Sequence, residues 1–366
     1  MAAVVFPMKA EELTPELLTV ALSERQPGVV VERLRVAEEA HCDTGSASTA
    51  ARAVLDLDYA RGCDEGLPRR VLLKTVLIRA GAPSTMYQNE VRFYRELRPE
   101  LDIETPLAYA SVFDEASGTF GVVMEDVRLR SARFPNATQS MSNEEITCLL
   151  GQLACLHARF WKSPRFSGDL HWLWTPCSGG FHDFLKRGGF EFIQQLLEQS
   201  EYKRSLLARL GRSFDELWRY LWKAQAILDS EPSTLLHGDT HFGNTYLLPG
   251  GRVGLLDWQL MNRGRWSHDV TYILMTALDT SYRRQHERDL LAFYLEQLRA
   301  HGVEAAPDME AAWLLYRQTA IWGFLIGWMI CPTENYGEEI LRANLERLAA
   351  ALEDLETFEA LAHRSA

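Results

Sequence analysis

The sequence has 366 residues, a formal net charge of −12 and 47% hydrophobic residues, which is enough chain for two compact units with separate cores. The acidic balance argues against a protein that binds nucleic acid, because such proteins carry a basic face. Six scattered cysteines without a CxxC pair and the absence of a basic leader predict a cytoplasmic protein. The most apolar run, at residues 320–330, is too short for a membrane span and is expected to form a buried helix.

The first third of the chain has the pattern of a small β-rich unit. Runs of Val, Leu and Ala bounded by turn residues predict strands at residues 29–36, 51–57, 71–77, 108–113 and 120–124. A loop of small residues, TGSAST at 44–49, lies between the first two strands, and a helix is predicted at 86–97. We expect these elements to form an N-terminal lobe over residues 1–126.

Helical patterns dominate from residue 127 onward. Ser142 followed three residues later by Glu145 is a capping box, which predicts the start of an amphipathic helix. Helices are predicted at residues 142–161, 181–229 and 269–366. One strand–turn–strand region, at 235–259, interrupts them. The sequence therefore predicts an α+β fold with two lobes, a small β-rich lobe and a larger, mainly helical catalytic lobe at 127–366.

Two segments carry the residues that phosphoryl transfer requires, LLHGDTHFGN at 235–244 and VGLLDWQ at 253–259. This chemistry needs a carboxylate near the acceptor and oxygen ligands for magnesium. Asp239 can align and deprotonate an acceptor hydroxyl, and the side chains of Asn244 and Asp257 offer the hard oxygen ligands that magnesium prefers. The five-residue step from Asp239 to Asn244 matches the catalytic loop of kinases.

HGDTHFGN followed by LLDWQ resembles the superfamily of aminoglycoside phosphotransferases, choline kinases and ecdysteroid-kinase-like proteins. The resemblance implies a protein-kinase-like fold, ATP and Mg²⁺ as cofactors, and transfer of the γ-phosphate of ATP to a hydroxyl of a small-molecule acceptor. It gives Asp239 the catalytic role and implies that His237 orients the catalytic loop through hydrogen bonds. Asp269, in HDVTYI, resembles the aspartate that braces this loop.

The same resemblance implies that the N-terminal lobe is the nucleotide-binding lobe and indicates which residues contact the nucleotide. Lys74, in VLLK, looks like the strand lysine that grips the α- and β-phosphates, and Glu90, in NEVRFYREL, looks like its partner on the following helix. The segment GVVMEDV looks like the strand whose end presents backbone groups to adenine, here Glu125, Asp126 and Val127. The chain has no GxGxxG motif at this point, so phosphate contacts are expected from Gly45, Ser46 and Ser48.

The sequence also suggests other functions. His237, Asp239 and His241 suggest a hydrolytic metal site, but the remaining histidines lack ligand spacing and such a site leaves Lys74 and Asn244 without a role. A serine hydrolase would need a GxSxG elbow, which the loop around Ser46 lacks. A nucleotide-binding pseudokinase with a regulatory role stays open as an alternative, because the phosphate loop departs from the usual pattern.

The patterns point to different kinds of acceptor. The DWQ form of the second segment favours the ecdysteroid-kinase-like branch of the superfamily. All ten tryptophans lie at residue 161 or later, and this aromatic-rich region favours an apolar or ring-bearing acceptor. The acidic net charge favours a cationic one.

Overall fold

The computed structural model describes residues 5–7, 9–40, 50–63, 66–76 and 83–362, without the side chains of residues 39 and 40. The predicted phosphate-contacting residues Gly45, Ser46 and Ser48 lie outside this part of the chain. Within the described ranges, no helix is long and apolar enough to cross a membrane.

The chain divides into two compact units. The first unit combines Met1–Leu101 with Thr105–Ala132. The second combines Asp102–Glu104 with Arg133–Ala366, so that three residues of the N-terminal half belong to the C-terminal unit. A backbone hydrogen bond ties these three residues to the second unit, because the N–H of Leu255 donates to the carbonyl oxygen of Glu104.

The first unit is built on a five-stranded antiparallel sheet with the order β1-β2-β3-β5-β4. Its strands are β1 (Val31–Ala40), β2 (Ala50–Tyr59), β3 (Arg70–Val76), β4 (Ala108–Phe113) and β5 (Phe120–Glu125). Its helices are α1 (Pro15–Ser23) and α2 (Ser84–Arg92), and α2 continues into a π-helical turn, Phe93–Leu97. Shorter 3₁₀ turns occur at Ala10–Glu12, Arg98–Glu100 and Val127–Arg130.

The alternation of side chains along β3 decides which residues face the core of this unit. Val71 and Leu73 pack in one apolar cluster with residues of α1, β1 and β2. Because successive side chains of a strand point to opposite faces, Lys74 lies on the other face of the sheet. It is buried there, and its register neighbours are Arg52 on β2 and Val122 on β5.

The second unit is mainly helical. Its helices are α3 (Asn143–Arg159), α4 (Gly180–Phe184), α5 (Phe190–Gln199), α6 (Glu201–Leu210), α7 (Phe214–Leu228), α8 (Ser267–Ala277), α9 (Thr280–Ala300), α10 (Met309–Trp322), α11 (Thr333–Tyr336), α12 (Glu338–Asp354) and α13 (Thr357–Ala362). The unit also contains two short antiparallel strand pairs. Strand β6 (Thr234–Leu236) pairs with β9 (Asn262–Gly264), and β7 (Thr245–Leu248) pairs with β8 (Arg252–Leu255).

Helix starts in this unit follow from local hydrogen bonding. The predicted capping box of Ser142 and Glu145 is confirmed at the start of α3, where each side chain accepts from the other residue's backbone N–H. Ser213 and Glu216 form the same motif at α7. These caps satisfy N–H groups that the first helical turn leaves without partners.

Helix α8 is the centre of the second unit, and all of its residues are buried. It packs against α3, α9, α10 and α12. The apolar segment at 320–330 is helical and largely buried, as predicted, but its helical geometry changes along its length. From Gly323 to Met329 the turns widen into a π-helix, and the ring of Tyr272 on α8 packs against the glycines of this segment.

Candidate active site

The segment that carries the candidate catalytic residues is the connection between β6 and β7, residues 237–244. The β6–β9 pair fixes its start and the β7–β8 pair fixes its end. A 3₁₀ turn, Phe242–Asn244, leads into β7. Asp257 lies two residues after the end of β8, so two short strand pairs bring Asp239, Asn244 and Asp257 into one part of the fold.

Asp269 on α8 binds the backbone of this segment. Its carboxylate accepts the N–H groups of His237 and Gly238 over 2.7 and 3.0 Å. Burial alone would raise the pKa of Asp269, but hydrogen bonding from His157, 3.3 Å away, and the charges of nearby imidazoles hold this pKa below its usual value. The side chain is therefore an ionised brace at neutral pH. Its carbonyl oxygen also accepts the Thr240 hydroxyl over 2.8 Å.

Gly238 is required by the turn that this brace stabilises. Its φ is +84°, a backbone conformation that residues with a Cβ rarely adopt. A Cβ at this position would overlap the carbonyl oxygen of Leu260 and lie 2.7 Å from Asn262 Nδ2. His268 Nε2 binds the Gly238 carbonyl oxygen over 3.0 Å, which holds the turn from its other side.

His237 is a structural part of the loop. The backbone N–H of Asp239 donates to its Nδ1 over 3.2 Å, and its Nε2 lies 2.8 Å from the Leu256 carbonyl oxygen. Burial lowers the pKa of His237, so the ring is neutral and donates through Nε2–H. Both ring nitrogens are thus used within the protein. This arrangement does not suit the hydrolytic metal site that the three polar loop residues first suggested.

Asp239 lies recessed at the centre of the segment, with 25% of its side-chain surface exposed. The carboxamide Nδ2 of Asn244 donates to its Oδ2 over 3.0 Å and to its carbonyl oxygen over 2.9 Å. Burial and the nearby charge of Asp257 raise the pKa of Asp239 to about 8, against the opposing effect of Asn244. The carboxyl groups of Asp239 and Asp257 are therefore close enough for the charge of Asp257 to disfavour ionisation of Asp239.

These residues fit a hard divalent cation. Because Asn244 donates through Nδ2, its carbonyl oxygen Oδ1 is directed away from Asp239. Asp257 supplies a carboxylate from a left-handed backbone conformation with φ of 63°, a strained geometry of the kind that is common at functional sites. Carboxylate and carboxamide oxygens are the ligands that magnesium prefers. Within the described residues, no cluster of three His, Cys, Asp or Glu side chains offers a zinc-type site.

His241 stands between Asp239 and an aromatic cluster of the second unit. The backbone N–H of Gly243 donates to its Nδ1 over 3.0 Å, so the neutral ring carries its proton on Nε2. Burial lowers the pKa of His241 to about 4, which keeps the ring neutral. Its Nε2 lies 4.0 Å from Asp239 Oδ2, beyond hydrogen-bond distance.

In the first unit, the structure brings Lys74 and Glu90 together. Lys74 Nζ donates to Glu90 Oε1 over 2.8 Å and lies 2.7 Å from Oε2. The side chains are 4% and 1% exposed, so this is a buried ion pair between β3 and α2. It places one ammonium group on the face of the sheet opposite the apolar cluster.

The residues predicted to contact adenine lie at the end of β5. The N–H of Glu125 donates to the Leu107 carbonyl oxygen, and the carbonyl oxygen of Asp126 accepts from Leu129. The Asp126 side chain caps a 3₁₀ turn and pairs with Arg128 over 2.8 Å. Two backbone groups of this segment are therefore engaged within the unit, and Val127 is buried. Their contact with adenine stays a prediction.

Several residues around the catalytic segment were not identified from the sequence as part of it. His268 directly precedes Asp269 in the HDVTYI motif, and this position next to the bracing aspartate could have identified it as part of the site. Tyr272 and Trp328 lie close to His241, with ring centroids 6.1 and 5.4 Å from its ring. Tyr272 and Trp328 could not be assigned to the site from the sequence, because they lie far apart in the chain and aromatic residues at helical spacing are usually core residues.

Comparison with known protein families identifies one that matches this chain. The sequence profile described as the ecdysteroid kinase-like family matches residues 69–304. A Caenorhabditis elegans protein named uncharacterized oxidoreductase dhs-27 is 27% identical over an alignment of 257 residues, and the alignment covers 63% of this chain. The match spans 29% of the length of that protein.

Comparison with solved structures identifies the fold of this chain. A choline kinase from Cryptosporidium parvum Iowa II superposes with a TM-score of 0.52 at 11% identity, over 94% of this chain and 96% of the kinase. The spectinomycin phosphotransferase APH(9)-Ia, in complex with ADP and spectinomycin, superposes with a TM-score of 0.50 at 12% identity, over 95% of this chain and 99% of that enzyme. These likenesses confirm the predicted two-lobe, protein-kinase-like α+β fold.

Proposed function

This chain belongs to the ecdysteroid kinase-like family, and from that premise we propose that it is a phosphotransferase that moves the γ-phosphate of ATP to a hydroxyl of a small-molecule acceptor. The observation that carries the proposal is the arrangement of Asp239, Asn244 and Asp257 around one braced loop. A recessed carboxylate, a carboxamide bonded to it and a second carboxylate form the set that phosphoryl transfer requires.

Asp239 would accept the proton of the acceptor hydroxyl. As the proton moves to Asp239 Oδ, the acceptor oxygen forms a bond to the γ-phosphorus, and the bond from that phosphorus to the β–γ bridging oxygen breaks. ADP leaves with the electron pair of the broken bond. The carboxamide of Asn244 keeps the carboxylate in one orientation.

Asn244 and Asp257 would hold magnesium, which when bound offsets the negative charge of the nucleotide phosphates. Lys74 would contact the α- and β-phosphates through its ammonium group, which Glu90 keeps in place. The fold relative APH(9)-Ia binds ADP, the product that transfer from ATP leaves. Phosphate contacts from Gly45, Ser46 and Ser48 and adenine contacts from Glu125, Asp126 and Val127 complete the proposal.

A screen for ATP consumption tests this function. The purified protein is incubated with ATP and magnesium and with hydroxylated steroids, aminoglycosides, choline, macrolides or sugars, and ADP release is followed together with the mass of the acceptor. The expected result is ADP release that depends on one acceptor class, with the acceptor gaining one phosphoryl group. A protein that binds MgADP but phosphorylates no acceptor would support the pseudokinase alternative instead.

A further inference from the structure

Among the buried polar atoms of the second unit that have no hydrogen-bond partner within the described ranges, two lie near His241 and have no part in the proposed chemistry. The hydroxyl oxygen of Tyr272 and the indole nitrogen of Trp328 have no hydrogen-bond partner among the described residues. The two residues are 3% and 2% exposed. Leaving such groups without partners costs stability, so native proteins rarely do it without a functional reason.

Both residues lie around His241, which is next to the Asp239 carboxylate. His241, whose Nε2 is 4.0 Å from Asp239 Oδ2, packs edge-on against Trp328 with ring centroids 5.4 Å apart. Burial raises the pKa of Tyr272 well above its usual value, and the charge of Asp239 raises it further, which reflects their proximity. The Trp328 N–H, a hydrogen-bond donor close to the Tyr272 hydroxyl, lowers this pKa, although the geometry between the two atoms is not that of an ordinary hydrogen bond.

The fold makes room for this pair of atoms and fixes their positions. Tyr272 packs against the π-helical segment Gly323–Met329, where a Cβ at Gly327 would overlap the tyrosine oxygen and a Cβ at Gly323 would lie 2.7 Å from its ring. The end of this segment is held by the buried Lys203, whose Nζ donates to the Met329 and Cys331 carbonyl oxygens over 2.8 and 2.7 Å. π-Helical turns often occur at functional sites.

The chemistry of the three neighbouring groups selects the kind of ligand atom. An indole N–H only donates, a phenol donates readily, and the neutral His241 donates through Nε2. Two N–H donors and one hydroxyl together favour the lone pairs of an oxygen atom over an ammonium group, which only the hydroxyl oxygen could accept. The Lys203 ammonium, hydrogen-bonded to the residue that follows Trp328, adds positive charge and opposes a cationic ligand further.

We propose that Tyr272 Oη and Trp328 Nε1 bind a second oxygen atom of the acceptor, next to the hydroxyl that Asp239 deprotonates. The acceptor is therefore an uncharged molecule with at least two oxygen functions. This inference rests on the proposed function, because it takes the Asp239 carboxylate as the partner of the reacting hydroxyl. Tyr272 and Trp328 are positioning residues that select the acceptor.

The stability of two phenylalanine variants tests the inference without an acceptor. Tyr272→Phe removes a buried hydroxyl that has no partner, so the variant is expected to unfold at a higher urea concentration than the wild type. Tyr316→Phe is the matched control, because its buried hydroxyl donates to Glu287 over 3.0 Å and its removal should lower the midpoint. A lower midpoint for Tyr272→Phe would show that its hydroxyl is satisfied within the fold and would overturn the inference.

Ligand-observed NMR tests the choice of ligand in the presence of MgADP, with two probes that share one skeleton. The probes are trans-1,2-cyclohexanediol and trans-2-aminocyclohexanol, in which an ammonium replaces one hydroxyl. The diol is expected to bind more tightly, and Tyr272→Phe and Trp328→Phe should each weaken its binding about 3- to 10-fold. Tyr316→Phe should leave it unchanged.

Tighter binding of the amine would identify the aromatic cluster as a cation-binding cage and would overturn the proposal, as would failure of the wild type to bind the diol. Neither outcome depends on turnover. A protein that binds the diol through Tyr272 but transfers no phosphate to any acceptor would contradict only the proposed function, so the two failures are distinguishable.

Discussion

Asn244 donates through one nitrogen to both the carboxylate and the backbone carbonyl oxygen of Asp239, over 3.0 and 2.9 Å. This pair of bonds links the two ends of the loop between β6 and β7, so the orientation of the candidate base depends on a residue five positions away. Without Asn244, the carboxylate keeps its position in the chain but loses the group that orients it.

Asn244→Ala should therefore lower turnover sharply while the fold persists. A displaced catalytic group of this kind costs about 100-fold in rate, and loss of one oxygen ligand should also raise the magnesium concentration needed for half-maximal activity. Steady-state assays over a magnesium titration would measure both effects, with far-UV circular dichroism to establish folding. A variant with unchanged rate and magnesium dependence would remove Asn244 from the site.

Asp269→Asn should reduce stability and activity together. The buried carboxylate accepts two backbone N–H groups, and an asparagine can offer only one oxygen to them. Hydrogen bonds to charged groups contribute about 1.5–3 kcal/mol each, so the free energy of unfolding should fall by about 2–5 kcal/mol. Urea unfolding measures this change. Asp289→Asn, the same substitution at an exposed site of α9, should have almost no effect, and equal losses in both variants would contradict the bracing role.

The buried pair of Lys74 and Glu90 should show strong coupling between its members. Lys74→Met leaves Glu90 buried without its Lys74 partner and should cost about 3–5 kcal/mol of unfolding free energy. The double variant Lys74→Met/Glu90→Leu should recover most of this loss, since an apolar pair carries no buried charge. Both variants should bind MgADP weakly. Recovery of MgADP binding in the double variant would show that the pair serves the fold alone.

Lys203 gives a prediction for the dependence of stability on pH. Burial lowers the pKa of Lys203 to about 8 in the folded protein, while an unfolded chain has a lysine pKa of about 10.4. Between these values the unfolded state binds more protons, so raising the pH favours the folded state. Relative to Lys203→Met, the wild type should gain stability from about pH 8 to about pH 10. Urea unfolding of both proteins across this range checks the sign, and a difference that falls with pH would contradict it.

The local features of the fold were predictable because short-range rules govern them. Ser142 and Glu145 predicted the start of α3, since capping depends on residues three positions apart. The spacing of Asp239 and Asn244 likewise indicated one loop. Bounds were less accurate, and the predicted helix at 86–97 is an α-helix only as far as Arg92.

Long-range relationships were not predictable in the same way. Tyr272 and Trp328 come together because α8 lies at the centre of the second unit and the chain widens into a π-helix beside it. No local pattern encodes that widening, since the same glycines are compatible with a regular helix. The burial of Lys203 was not predictable from local patterns either. A lysine in an amphipathic helix usually extends its ammonium group into water, and here the ammonium group instead binds carbonyl oxygens of a segment far along the chain.

The measurement that tests the central claim most directly compares wild type, Asp239→Asn and the control Asp289→Asn for ADP formation with the most active acceptor and for thermal stabilisation by MgADP. The account predicts that Asp239→Asn loses turnover by a factor of about 10²–10⁴ and keeps its stabilisation by MgADP, while the control behaves as the wild type. Turnover by Asp239→Asn at the wild-type rate would contradict the assignment of Asp239 as the group that accepts the acceptor's proton.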